Sequence, residues 1–252
     1  MADALMTVIA PALFALLCWW FGTGAILWLV RRPPVTFAWS MAGLTVLLGA
    51  SFWTARISMR DPSEQGAYLA FASVIVMWAW HEMAFLTGWL AGPRRRALDA
   101  GVRGWPRFVQ STQAVLWHEL ALAAHLGLLW WMQPAHGSHV ALCTFAVLWF
   151  MRFSAKLNLF LGVPETGEQY LPARLRYLAS YFRRGPLSLF FFLSVGVSIA
   201  IWVGLVWRAQ HGETVVSTGW VLLAALLGLA IVEHLIMAFP TPMQKLWSWA
   251  MP

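Results

Sequence analysis

Charge is what this sequence has least of. Only 11 % of its 252 residues are Asp, Glu, Lys or Arg, ten of them acidic, whereas 60 % are hydrophobic. A soluble globular domain carries about twice that share of charge and a smaller apolar fraction, so a soluble fold is excluded. Cysteine is scarcer still. Cys18 and Cys143 both fall inside long apolar stretches, which rules out a disulfide framework or a Cys-rich metal site and leaves them as small apolar fillers. No polar stretch is long enough for a soluble domain, and nothing repeats beyond one tripeptide, so a single domain covers 1–252.

What is present is apolar sequence in blocks. Seven candidate spans fall at about 8–30, 35–57, 67–91, 113–132, 139–162, 187–207 and 217–239, each long enough at 1.5 Å per residue to cross a hydrocarbon layer of about 30 Å. The fold class is therefore all-α, a polytopic membrane protein of seven transmembrane helices. The first span starts near the N-terminus with its basic flank behind it, and reads as a retained signal anchor. Gly43, Gly49, Ala50 and Ser51 in the second span are small enough for a neighbouring helix to approach closely. The sixth has no ionisable residue between Leu187 and Trp207, as a lipid-facing or purely packing helix would.

The net charge of +7 does not form a stripe for nucleic acid. It is sorted by loop: Arg31, Arg32, Arg94, Arg95, Arg96, Arg103, Arg107, Arg174, Arg176, Arg183, Arg184 and Lys245 lie in alternate connections and the tail. Arg56, Arg60 and Arg208 are left for the opposite side. The positive-inside rule then predicts an external N-terminus and a cytoplasmic C-terminus, with the basic loops against anionic membrane lipids. Between 173 and 182, Leu175, Leu178, Ala179 and Phe182 recur at helical spacing with arginines between them, which predicts an interfacial amphipathic helix. Trp247-Ser248-Trp249 has the composition of an interfacial anchor.

Against this apolar background the ionisable residues stand out. Trp-His-Glu occurs at Trp80-His81-Glu82 and at Trp117-His118-Glu119, and a Glu-His pair at Glu233-His234. Each of the three glutamates inside a long apolar segment thus has a histidine neighbour. With alternating spans, His81, Glu82, His118, Glu119, Arg152, Lys156, Asn158, Glu233 and His234 come to similar depth in the cytoplasmic half. Unpaired charges there cost several kcal/mol, so such groups are expected to face one another or a water-filled cavity. His118 and His125, seven residues apart, share a face, while Glu119 is turned about 100° away and is expected to meet Glu82, Glu233, Arg152 or Lys156.

Three chemistries fit the pattern. The groups can hold helices in register through ion pairs and hydrogen bonds. His81, Glu82, His118, Glu119, Glu233 and His234 can ligate a metal ion, although adjacent His and Glu diverge where di-iron bundles space them by three, and no His-Glu-x-x-His is present. His125 or His81 can ligate the central metal of a tetrapyrrole, with tryptophans packed on the macrocycle. A membrane metalloenzyme acting on a tetrapyrrole or other lipophilic substrate, and a proton or substrate relay, stand beside a binding role. Whether the chain is an enzyme is left open by these residues.

One stretch carries a family resemblance. Lys156-Leu157-Asn158-Leu159-Phe160-Leu161-Gly162-Val163-Pro164, followed by Leu171-Pro172 and Arg176-Tyr177-Leu178-Ala179-Ser180-Tyr181-Phe182, resembles the PuhE-type photosynthetic complex assembly proteins of purple bacteria. Glu165 stands where that pattern has asparagine. The resemblance implies an integral factor of the bacterial inner membrane, cytoplasmic or intracytoplasmic, for assembly of reaction-centre and light-harvesting complexes. It also implies bacteriochlorophyll handling, with complex subunits or pigment-synthesis enzymes as partners. It carries over no catalytic residue.

Overall fold

The computed structural model describes residues 2–212, 214–239 and 249–250, with side chains from 7 onward except 214–216. Among the described residues the chain forms seven α-helices: α1 (Ala2–Val30), α2 (Phe37–Ser58), α3 (Glu64–Leu86), α4 (Gly104–Met132), α5 (Val140–Leu161), α6 (Leu189–His211) and α7 (Thr214–Ile236). Their boundaries follow local chemistry. The proline pair Pro33-Pro34 interrupts the backbone donors after α1 and sets a short 3-10 turn, Pro34–Thr36, before α2. Ser63 caps α3, its hydroxyl accepting from the Gly66 N–H at 3.1 Å. Pro106 sits in the first turn of α4, where its missing donor costs nothing. This lets α4 begin nine residues earlier than the expected edge at 113 and absorbs half of the basic loop into a helix.

Six of these helices are long and apolar enough to cross a membrane; α4 is the exception. It has the length, 29 residues, but His118, Glu119 and His125 interrupt its apolar run. Helices α3 and α7 are the central ones, because half of their apolar windows is buried within the protein against 17–22 % for α1, α2, α5 and α6. Helix α6 packs against α7 and leaves Leu189, Phe192, Leu193, Val197 and Val203 exposed, in keeping with the lack of ionisable residues before Arg208. Helix α2 packs against α3 through Leu44, Ser51, Ala55 and Ser58. The close approach expected at Gly43 and Gly49 is not found, since a side chain added at either would meet nothing within 4 Å.

Backbone hydrogen bonds tie alternate connections to one another at two ends. At one, Ser138 N–H reaches Met59 O at 2.8 Å, joining the α2–α3 and α4–α5 turns. At the other, Glu165 N–H reaches Met237 O at 3.0 Å and Arg107 Nη2 donates to Phe160 O at 3.0 Å and Tyr181 O at 2.7 Å. The second end carries most of the arginines. Exposed tryptophans mark both, with Trp39, Trp89 and Trp105 at the basic end and Trp53, Trp130, Trp131 and Trp207 at the opposite one, the distribution of an interfacial aromatic belt.

The amphipathic α-helix expected at 173–182 is instead a 3-10 helix, Ala173–Tyr181. Its buried residues are Leu175, Leu178 and Tyr181, a period of three, which is the side-chain repeat of a 3-10 helix rather than an α-helix. The row packs inward on Phe85, Ala91 and Ala114, so the segment closes the basic end of the bundle. Arg94 reinforces it, donating from Nε to the Tyr181 hydroxyl at 2.7 Å and from Nη2 to Asp99 at 2.7 Å. The Arg94 hydrogen bond holds the Asp99 carboxyl below its ordinary range. That tie is therefore fully present above the ordinary carboxylate pKa of about 4 and is lost only as pH falls through the lowered value. Of the tail, Trp249 stacks on Phe21 with ring centroids 6.4 Å apart and lies beside Trp20; Lys245, Trp247 and Ser248 lie outside the described residues.

The connection after α3 crosses α4 at backbone contact distance. Arg94 N–H meets Gln113 O at 3.4 Å and His118 N–H meets Ala91 O at 3.0 Å, and a side-chain carbon at Gly92 would lie 2.1 Å from Gln113 O. Gly92→Ala is therefore expected to destabilise the protein by about 1–3 kcal/mol, read as a fall in apparent Tm in detergent. Gly43→Ala, in open space on a helix, is expected to leave Tm unchanged or slightly higher.

Candidate functional site

The adjacent His and Glu of each pair diverge, so each pair serves two faces, and the structure sorts them accordingly. The histidines are buried in the bundle: His81 is 2 % exposed, His118 0 %, His125 7 % and His234 2 %. His118 and His125 lie on one buried stripe of α4 with Ala114, Leu122 and Leu129, as their spacing requires. His81 Nε2 is 2.8 Å from His125 Nδ1. The His125 ring lies stacked between Phe52 and Phe145, with centroids 4.6 Å away on either side. His118 packs at 4.4 Å on Phe85 and 6.4 Å from His81, with neither ring nitrogen hydrogen-bonded.

The carboxylates turn elsewhere. Glu119 of α4 accepts from two residues of α5, Lys156 Nζ and, at 3.0 Å, Trp149 Nε1. Trp149 and Lys156 are seven residues apart and lie on one stripe of α5. Arg152 falls between them and donates from Nη2 to Glu82 Oε2 of α3 at 2.9 Å. Glu233 of α7 accepts from Trp19 Nε1 of α1 at 2.8 Å. His234 Nδ1 lies 2.9 Å from Ala230 O, which can only accept, so Nδ1 carries the proton and Nε2 of the neutral ring accepts from the Ser154 hydroxyl at 3.0 Å. Asn158 is fully buried on another face of α5, where its amide donates to Ser154 O and to Ser194 Oγ of α6.

Of the nine residues expected as one polar cluster, Glu82, Glu119, Arg152, Lys156 and Glu233 lie close enough to interact electrostatically and pair off as interhelical ties. Glu119 meets Lys156, as the depth argument allowed, while Asn158 and His234 serve other contacts. Among the described residues no three His, Cys, Asp or Glu side chains converge in a group that could hold a metal ion. His81, Glu82, His118, Glu119, Glu233 and His234 therefore do not form a ligand set as they stand. His81 and His125 each keep one ring nitrogen, Nδ1 and Nε2 respectively, buried without a hydrogen-bond partner. They are turned on each other and neither lines the interior cavity. Trp19, Trp149, Ser154, Phe52 and Phe145 were not anticipated. The stripe of Trp149 with Arg152 and Lys156 was a legible signal; Trp19 carried none.

That cavity is a separate feature, about 350 Å³ in volume, between α1, α3, α5 and α7 and the segment at Gly167, Tyr170 and Leu171. Ile26, Ile75, Trp78, Val147, Met151 and Leu226 make much of its wall apolar, and Glu82, Arg152, Glu233 and Trp19 supply its polar groups. Glu82 Oε1 is buried with no hydrogen-bond partner, so the ion pair with Arg152 leaves one acceptor unused beside the cavity. An apolar hollow with a few placed polar groups, at the small end of the about 300–1,000 Å³ usual for ligand sites, is suited to an apolar molecule bearing a hydrogen-bond donor.

The ties and the cavity separate under mutation. Lys156→Met leaves Glu119 buried without its cation and is expected to cost about 3–5 kcal/mol, with Glu119→Gln in the same chain restoring part of the loss. Thermal denaturation of both variants in detergent checks this. A double variant no more stable than Lys156→Met alone would show that the pair is not coupled.

Comparison with known proteins adds kinship. A protein of Rhodobacter capsulatus described as an uncharacterized 30.4 kDa protein in the puhA 5' region is 40 % identical over 250 residues, covering 96 % of this chain and 90 % of the relative. No solved structure matches the chain. The family model described as "Protein of unknown function (DUF3623)" matches residues 5–252, and with nearly the whole sequence inside that match, the chain belongs to the DUF3623 family.

Proposed function

We propose that the chain is an integral membrane factor for assembly of photosynthetic reaction-centre and light-harvesting complexes, of the PuhE type, that handles bacteriochlorophyll or a precursor through the cavity between α1, α3, α5 and α7. The observation that carries the reading is the relative in the puhA 5' region, 40 % identical across nearly the full length of both chains. The puh region belongs to the photosynthesis gene cluster. The cavity supports a binding role, because much of its wall is apolar and Glu82 Oε1 is left as a free acceptor beside it. At about 350 Å³ it suits one apolar arm of a pigment better than a whole macrocycle. A metalloenzyme built on the same residues would need the ligands to converge, and they diverge.

In this reading α4 is the seventh span, in the inner membrane of the bacterium. Its 29 residues measure about 43 Å, its ends reach the same two layers as its neighbours, and His118, Glu119 and His125 are covered by α3 and α5. The arginine-rich end faces the cytoplasm, which puts the N-terminus outside and the C-terminus inside.

Deleting the gene from a phototrophic host is expected to lower reaction-centre and antenna absorption in isolated membranes. Unchanged spectra would remove the assembly role. A fluorescent protein fused after residue 252 should fluoresce, and alkaline phosphatase fused ahead of residue 1 should be active; the reverse pattern would invert the topology. Purified protein is expected to carry a tetrapyrrole absorption band that weakens in a variant with Ala79→Phe, which narrows the cavity while leaving every ionisable residue of its wall in the sequence.

A further inference from the structure

The basic end holds a second hollow that the assembly reading does not use. It has a volume of about 560 Å³ and is lined by Thr87, Trp89, Arg95, Arg174, Leu175 and Tyr177, beside Gly88. No carboxylate contributes to it. That matters because the neighbouring arginines are already engaged. Arg94 and Arg96 pair with Asp99, Arg184 lies 3.9 Å from Glu165, and Arg107 spends its guanidinium on the carbonyls of Phe160 and Tyr181.

Arg95 and Arg174 differ. Among the described residues neither has a carboxylate partner. Arg174 makes one long hydrogen bond, 3.3 Å to Thr87 O, and lies 5.0 Å over the Phe37 ring, which orients its guanidinium without neutralising it. Arg95 is exposed and close enough to Tyr177 to favour the ionised phenol, although burial wins and raises the Tyr177 pKa. The Tyr177 hydroxyl is buried and has no hydrogen-bond partner. A buried O–H donor without an acceptor costs about 1–3 kcal/mol, and here its ring borders a hollow with two cations and no anion.

We infer that this hollow binds a phosphate group, with Arg95 and Arg174 as its cations and the Tyr177 hydroxyl as its third donor. Guanidinium forks match phosphate oxygens in pairs. The volume exceeds what a bare phosphate fills, leaving room for the alcohol it esterifies, and the half-exposed Trp89 indole lies along the hollow as an apolar lip. The chemistry is that of a phosphate ester, supplied either by the headgroup of an anionic phospholipid or by a soluble phosphate.

Native mass spectrometry of the full-length protein, released from nanodiscs of phosphatidylcholine doped with phosphatidylglycerol, tests the first source. Thermal shift with inorganic phosphate and with glycerol phosphate tests the second. The expected result is one retained phosphatidylglycerol, or a saturable shift with a soluble phosphate. Binding should weaken about tenfold or more in Arg95→Ala and in Arg174→Ala and measurably in Tyr177→Phe. Arg103→Ala, on the same basic surface but outside the hollow, should bind as the parent does. Should Arg174→Ala fail to fold, Arg95→Ala and Tyr177→Phe decide the matter, since neither removes a hydrogen bond made within the protein. Binding to neither probe overturns the site. Equal loss in Arg103→Ala and Arg95→Ala also overturns it, because that is the behaviour of diffuse surface charge.

Discussion

A carboxylate and an ammonium group, half-buried between α4 and α5, set the terms on which the rest of the bundle is built. Glu119 and Lys156 each stand in a layer where an unpaired charge costs several kcal/mol. Glu119 is satisfied twice from one helix, by Lys156 and by Trp149, which fixes both the rotation of α5 and its depth against α4. With α5 so oriented, Arg152, between those two residues, can only turn toward α3, where it meets Glu82. The opposite face of α5 then brings Ser154 to His234 of α7 and Asn158 to Ser194 of α6. Helix α5 is the hub because its polar residues reach four different helices, α3, α4, α6 and α7.

The same constraint explains why histidine and glutamate stand side by side. Adjacent residues on a helix diverge by about 100°, so a His-Glu pair offers one group to the bundle interior and the other to a neighbouring cation or donor. In α4 the histidine takes the buried stripe and the glutamate the α5 side. In α3, His81 reaches His125 while Glu82 reaches Arg152. Three of the histidines, His81, His125 and His234, and the three glutamates thus make interhelical contacts without, among the described residues, becoming a common ligand set.

Much of this was written in the sequence, but unevenly. Six of the long helices follow from apolar block length alone, because a chain in an apolar layer must satisfy its own backbone hydrogen bonds, whereas the apolar run of α4 is interrupted by His118, Glu119 and His125. The shared face of His118 and His125 follows from periodicity, and depth narrows the partner of Glu119 to Glu82, Glu233, Arg152 or Lys156, of which the fold selects Lys156. What periodicity does not encode is the rotation of one helix about its axis relative to the next. Depth alone could thus gather Asn158, His234 and the three glutamates into one cluster, when rotation sends them to separate partners. Residues such as Trp19, Phe52 and Phe145 carry no polar signal in an apolar run and are recognised only by what they touch. The 3-10 form of Ala173–Tyr181 was legible only in part, since Leu175 and Leu178 fit both a three- and a four-residue repeat until Tyr181, rather than Phe182, is seen to complete the buried row.

That closing segment also joins the two hollows. Gly167, Tyr170 and Leu171 border the interior cavity, and Arg174, Leu175 and Tyr177 border the basic one; likewise Leu86 lies on the first and Thr87 on the second. The wall between them is thus a few residues of chain rather than a packed layer, and it is anchored by the inward row of Leu175, Leu178 and Tyr181 on α3 and α4. An apolar hollow between the helices and a cationic one at the basic end thus share one short stretch of chain as a border, and the packing that seats Leu175, Leu178 and Tyr181 shapes both.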